Sequence, residues 1–238
     1  MNRKKWVIGD IRGDFLLLQK LMDKLGPGEG DVLIFLGSYL GPAPYSKEVV
    51  QYLLESKNAS AAIFLFLKGC YEFMFQRVIG SNPAAQDIQT WTQMGGERVF
   101  RSYASQSKLV VMTGTNGHRA SRSVEIPLQI PEPHIRFMEQ GLHQWFEDDT
   151  YPFIASHSGS HPGIHGLKGR EEESVFSAGS WYLDDRFTLP GKTILFSHVP
   201  FQKPFIEKGR IGIDLGAGLG GKLCCFDMVS QTFTIVGG

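Results

Sequence analysis

The residues of this sequence that could do chemistry stand one group at a time, each just behind an apolar run. Asp10 and Arg12 follow WVIG, Ser38 and Tyr39 follow VLIFLG, and Lys68, Cys70, Tyr71 and Glu72 follow AAIFLFL. Further on, His157 follows FIAS and His198 follows TILFS. A carboxylate, a thiol and two imidazoles are all metal ligands, and a site needs such groups on rigid elements from distant parts of the chain. Cys70 also permits a second reading, because a helix N-terminus lowers a thiol pKa. No phosphate-cradling run of backbone donors with an Arg follows it, which argues against a nucleophile. Tyr71 could donate a hydrogen bond, but its unperturbed pKa near about 10 makes it a poor acid or base at neutral pH.

The elements that position these groups alternate over the first 80 residues. Trp6 to Gly9, Val32 to Leu36 and Ala61 to Leu67 read as strands, the third buried on both faces. Between them, Phe15, Leu18, Leu21, Met22 and Leu25 have helical spacing. Ser46 offers an N-cap for a second helix carrying Val49, Val50, Leu53 and Leu54, and Tyr71 to Ile79 continues as a third. Strand, helix, strand, helix, strand predicts a parallel sheet, whose chemistry collects at the carboxyl ends of the strands. From Ala85 to about Gln144 the chain turns polar, with helical periodicity around Ile88–Met94 and Ile135–Leu142. SRSVEIPLQIPEP (121–133) fits a strand or a loop equally well. Strand signals return in FIAS, TILFS, IGIDL, KLCCFDMV and FTIVGG, the last two as an antiparallel hairpin. There is no internal repeat.

Composition narrows the classes of function. Lys plus Arg and Asp plus Glu number 24 each, so no global field favours nucleic acid or an acidic membrane. No stretch approaches the roughly 18 apolar residues of a membrane span, and MNRKKWVIGD lacks a signal-peptide core. Three cysteines in 238 residues make no disulfide framework, and Cys224 and Cys225 read as core residues of a strand. A reducing cytoplasm is the expected setting.

At this point the strand-end motifs resemble a known pattern. GDIRG (9–13), GSYLGPAP (37–44), GCYE (69–72), SHSG around His157 and SHVP around His198 are similar to a series that marks the phosphoprotein-phosphatase branch of the calcineurin-like metallophosphoesterases. That series runs GD-x-H-G, GD-x-V-D-R-G, G-N-H-E and two separated histidines. The likeness is to the bacterial and phage serine/threonine phosphatases and the symmetrical diadenosine tetraphosphate hydrolases. It extends to WTQMGGERVFRSYA (91–104), IPEPHIRFMEQ (130–140) and IGIDLGAGLGGKLCCFDM (211–228). The resemblance implies an α/β fold of two mixed sheets sandwiched between helices. It also implies one domain over residues 1–238 with a helical insertion at about 81–145.

In that family two metals share a bridging Asp and activate a water for in-line attack on phosphorus. A His supported by an Asp protonates the leaving oxygen, and arginines neutralise the phosphate. Set against those roles, Asp10, His157 and His198 are kept, while Arg12 replaces the first His ligand and Ser38 the bridging Asp. Gly41 and Pro42 replace the supporting Asp and the phosphate Arg, Cys70 the Asn ligand, and Tyr71 the catalytic His. A guanidinium stays charged and cannot ligate. Arg12 is therefore expected either to pair with Asp10 and plug the vacated site or to stand in for a metal towards an anion. Ser38, Lys68 and Glu72 are grouped with it as ligand-binding or plugging residues. Asp10, Cys70, His157 and His198 remain as ligands for at most one transition metal, zinc or manganese.

The expected function is a pseudophosphatase, a binding or regulatory module for a phosphate-containing ligand or a protein partner. The alternative is an active phosphoesterase with a single Cys/His/His metal. His161 and His165, in SHSGSHPGIHG, read as loop residues near the site mouth, and Trp181 as packing.

Overall fold

The computed structural model describes residues 3–80, 82–104, 109–113, 123–127, 129–159, 175–176, 188–207 and 209–237. His161, His165 and Trp181 lie outside these residues. In chain order the elements are β1 (Lys5–Ile8), α1 (Phe15–Leu25), β2 (Val32–Phe35), α2 (Ser46–Ala59), β3 (Ile63–Phe66) and α3 (Cys70–Ile79). Then come α4 (Ala85–Gln93), α5 (Glu97–Tyr103), β4 (Leu109–Thr113), β5 (Ser123–Pro127), α6 (Glu132–Gln140) and β6 (Trp145–Glu147). The chain closes with β7 (Phe153–Ser156), β8 (Thr193–Phe196), β9 (Phe205–Glu207), β10 (Arg210–Gly212), β11 (Leu223–Asp227) and β12 (Thr232–Val236).

Two mixed five-stranded sheets form, in the orders β12-β11-β1-β2-β3 and β6-β7-β8-β10-β9. The β1, β2 and β3 strands run parallel, as their helical crossovers dictate, and β11–β12 is the antiparallel hairpin. Alternation along each strand sorts side chains between two cores. Trp6, Ile8, Leu33 and Phe35 face the helices with Leu18, Leu21, Val49 and Leu53, whereas Val7, Ile34 and Leu36 meet Phe153, Ala155, Leu195 and Ile213 of the second sheet. Cys225 belongs to the first core and Cys224 to the second. The strand β3 departs from the sequence expectation, because Ile63 is 52% exposed. As the edge strand of its sheet it is only partly covered.

Two local details also differ from the sequence reading. Ser46 is the first helical residue of α2 rather than its cap, and its hydroxyl oxygen instead accepts from Gly41 N at 3.2 Å. The ambiguous 121–133 segment supplies β5, paired antiparallel with β4. The helices of the middle region pack on the first helical layer, α4 and α6 on α3 and α5 on α2. Trp91 is the centre of this packing, with its ring against Tyr71, Phe75 and Phe100.

Candidate functional site

The carboxyl ends of β1, β2, β3, β7, β8 and β10 converge, as parallel connections require. Close approach of their loops needs residues without side chains. A Cβ on Gly69 would stand 2.2 Å from Ser38 N, and one on Gly41 would stand 2.4 Å from Arg12 Cα. The first glycine lets the loop after β2 touch the start of α3, and the second leaves no room at position 41 for an aspartate. Arg12, Ser38 and His198 all have positive φ, at 49°, 51° and 70°. Non-glycine residues in that region carry strain that the surroundings must hold, a pattern common at functional sites.

The site divides in two. In the first half the guanidinium of Arg12, 5% exposed, lies between two buried carboxylates. Its Nη1 and Nη2 donate to Asp214 Oδ1 and Oδ2 at 2.8 and 2.5 Å, and Nη2 is 2.9 Å from Asp10 Oδ2. Nη2 also reaches the His198 carbonyl at 3.4 Å. Such a bidentate fork is among the strongest charge-assisted contacts available. Burial raises the pKa of Asp10, but the charges of Arg12 and His157 outweigh it and hold that carboxyl far below its ordinary range. Burial and the Asp10 charge push Asp214 upward, with Arg12 opposing. Burial lowers the Arg12 pKa, yet Asp10 and Asp214 together drive it above its ordinary value. The guanidinium is a fixed cation.

In the second half the ligand atoms of Cys70, His157 and His198 lie within 4.8 Å of one another. Cys70 opens α3, and its Sγ is 3.6 Å from Ser38 Oγ. His157 is fully buried, with Nδ1 2.9 Å from the Leu36 carbonyl and 3.4 Å from Asp10 Oδ1. A carbonyl only accepts, so Nδ1 carries a proton and Nε2 points its remaining valence elsewhere. Among the described residues neither His157 Nε2 nor His198 Nδ1 has a hydrogen-bond partner, although both atoms are buried. Burial opposes a charge on His157, but Asp10 overcomes it and raises that pKa well above the usual imidazole value. Burial and the neighbouring His157 lower His198 to about 4, leaving it a neutral imidazole with a free lone pair.

The other sequence candidates are nearby but engaged. Glu72 uses both oxygens as a backbone cap, accepting from Ser38 N at 2.8 Å, Gly69 N at 3.1 Å and Leu40 N at 3.0 Å. The Tyr71 hydroxyl donates to the Met94 carbonyl at 2.5 Å, and burial pushes its phenol upward, away from acid–base use. Lys68 Nζ donates to Gln76 Oε1 at 3.1 Å. Two contributors were not singled out from sequence. Ser197 Oγ accepts from Asp10 N at 2.9 Å, and Asp214 forms the Arg12 fork. The signal for Asp214 was its place behind the apolar run IGI, the same strand-end position as the rest.

These residues fit a pair of metals poorly and a single one well. The carboxylate that would serve a first ion already faces a fixed cation, and the hydroxyl of Ser38 is neutral where a shared ligand must carry charge. The thiol and the two partnerless imidazole nitrogens are the donor types of a zinc-class ion.

No protein-family profile matches this chain, and no curated protein matches it in sequence. Solved structures do match. One, described as a candidate diadenosine tetraphosphatase, superposes with a TM-score of 0.66 at 14% identity, covering 99% of this chain and 94% of that one. A serine/threonine phosphatase from Saccharomyces cerevisiae with similarity to human PP5 gives 0.61 at 13% identity, covering 98% and 79%. A metallophosphoesterase from Sphaerobacter thermophilus gives 0.53 at 14% identity, covering 98% and 88%. The fold is that of the calcineurin-like metallophosphoesterases.

Proposed function

We propose that this protein keeps the phosphoesterase fold without two-metal hydrolysis and acts as a binding or regulatory module. One observation carries the reading: the Arg12 guanidinium is held by Asp10 and Asp214 in the half of the cleft that would otherwise serve a first metal. Its ligand is of the phosphate-containing class or a protein partner, and the even balance of 24 cations and 24 anions favours neither nucleic acid nor a membrane surface. Cys70, Cys224 and Cys225 are all free thiols, which suits a reducing cytoplasm, and no described helix is long and apolar enough to cross a membrane. Residues 1–238 are taken as one domain, with the insertion at about 81–145 packed on α2 and α3. Hydrolysis of an aryl phosphate with added manganese should not exceed that of a His198→Ala control. Turnover far above the control would refute the reading.

A second reading, a hydrolase with one altered metal, is favoured by the Cys70, His157 and His198 group. In it a bound ion would supply Lewis-acid polarisation of a phosphoryl oxygen. Arg12 would contribute only fixed charge, and the neutral phenol of Tyr71 only a hydrogen bond. The same assay with zinc in place of manganese tests it.

A further inference from the structure

We infer that Cys70, His157 and His198 hold one thiophilic metal ion of the zinc class per chain, and that Arg12 keeps the number at one. The inference rests on the metal group of the second reading above, but it holds whether or not any ester is cleaved.

The selectivity follows from the donors. A thiolate and two imidazoles favour zinc or cobalt, whereas manganese and magnesium prefer oxygen ligands. Among the described residues the oxygen donors near this group are committed or weak. Asp10 is ion-paired with Arg12, although neither of its oxygens makes a hydrogen bond, Glu72 caps three backbone amides, and Ser38 is a neutral hydroxyl 3.6 Å from the thiol. Zinc–sulfur and zinc–nitrogen bonds of about 2.3 and 2.0–2.1 Å put tetrahedral ligand atoms about 3.3–3.6 Å apart. The ligand atoms, within 4.8 Å of one another, would close by up to about 1.5 Å on binding. Cys70 stands on the first turn of a ten-residue helix, and His157 is fixed through its Nδ1 to the Leu36 carbonyl. That second contact turns Nε2 toward the group, which is the usual way a ligating histidine is oriented.

The count follows from charge. A second dication would have to bind beside a guanidinium already held by two carboxylates, with no unpaired carboxylate left among the described residues at this end of the sheets. Arg12 cannot lose its proton to admit it.

Cobalt(II) titration of the purified chain tests both parts. Saturation at one ion per chain, with a thiolate-to-cobalt charge-transfer band in the near ultraviolet, is expected, and zinc should displace it. The band should vanish in Cys70→Ala. In Cys70→Asn it should also vanish, while weaker binding, down at least tenfold, persists through the two imidazoles. Circular dichroism of each variant separates loss of a ligand from loss of fold. Binding without the band removes Cys70 as a ligand, absence of binding overturns the site, and saturation at two ions overturns the role of Arg12. Phosphatase assays on the same samples decide the hydrolysis question independently: a metal-loaded, inactive protein supports the binding-module reading, and an active one refutes it while leaving the metal inference intact.

Discussion

The two halves of the cleft differ in charge: a guanidinium ion-paired with two carboxylates fills one, and a thiol with two imidazoles lines the other. Around Arg12, two carboxylates and a guanidinium close on themselves at 2.5–2.9 Å. Around Cys70, the ligand atoms of a thiol and two imidazoles lie within 4.8 Å of each other, with His157 Nε2 and His198 Nδ1 left without a hydrogen bond among the described residues. Buried polar groups without partners are rare and call for an explanation, often an ion or water. A guanidinium already ion-paired resists a further cation even though both oxygens of Asp10 also lack a hydrogen bond among the described residues, whereas a set of soft donors with no fixed cation among them can accept one. The difference lies in a few side chains on one shared framework of strand ends.

The comparison can be broken from either side. The largest effect is expected from Arg12→Ala, which leaves Asp10 and Asp214 buried against each other. Removal of one partner from a buried ion pair costs about 3–5 kcal/mol, so urea unfolding should show a loss of that order. A loss below about 1 kcal/mol, the range of exposed pairs, would mean that the Arg12 half is not a closed unit.

His134 supplies a satisfied histidine outside the cleft. Its Nδ1 is 3.0 Å from the Tyr103 hydroxyl and its Nε2 2.8 Å from Gln51 Oε1, and burial lowers its pKa to about 4. The unfolded chain then binds the extra proton between its ordinary pKa of about 6.5 and about 4. Stability is therefore full above that window and falls as pH drops through it, by about 2–3 kcal/mol. A His134→Gln variant should show a flatter stability profile over the same range. An unchanged slope would remove His134 as a buried neutral group.

Zinc should sharpen the comparison next. At a free concentration about 100 times its dissociation constant, it should stabilise the wild type by about 2.7 kcal/mol, visible as a raised Tm, and Cys70→Ala by no more than about 1.4 kcal/mol. The smallest effect is that of Cys70→Ala without metal. The thiol makes one weak contact with Ser38, at 3.6 Å, and lies beside the two imidazoles, so its loss should cost no more than about 1 kcal/mol. A larger cost would show that the cysteine is kept for packing.

Much of the framework was legible because it rests on local signals. The parallel β1, β2 and β3 strands and the β11–β12 hairpin come from runs with clear period and punctuation. The β4–β5 hairpin was ambiguous because three prolines punctuate residues 121–133, the first of them the last residue of β5, and β6 and β9 are three residues each, too short for a period to register. Glu72 reads in sequence as one more charge at a strand end, and only the approach of the Ser38 loop makes it a backbone cap.

By itself the sequence determined which chemical groups stand at strand ends and which ones do not. The substitution of Arg12, Ser38, Cys70 and Tyr71 into otherwise familiar motifs can be read without coordinates. Tertiary structure alone decided how those groups are paired. Asp214 lies 202 residues from the arginine it holds, and His157 lies 121 from the carbonyl that orients it. Pairing across such distances depends on the stacking of two sheets and the crossing of loops at glycines. No local periodicity encodes it, because the energy of a buried charge is set by its neighbours in space.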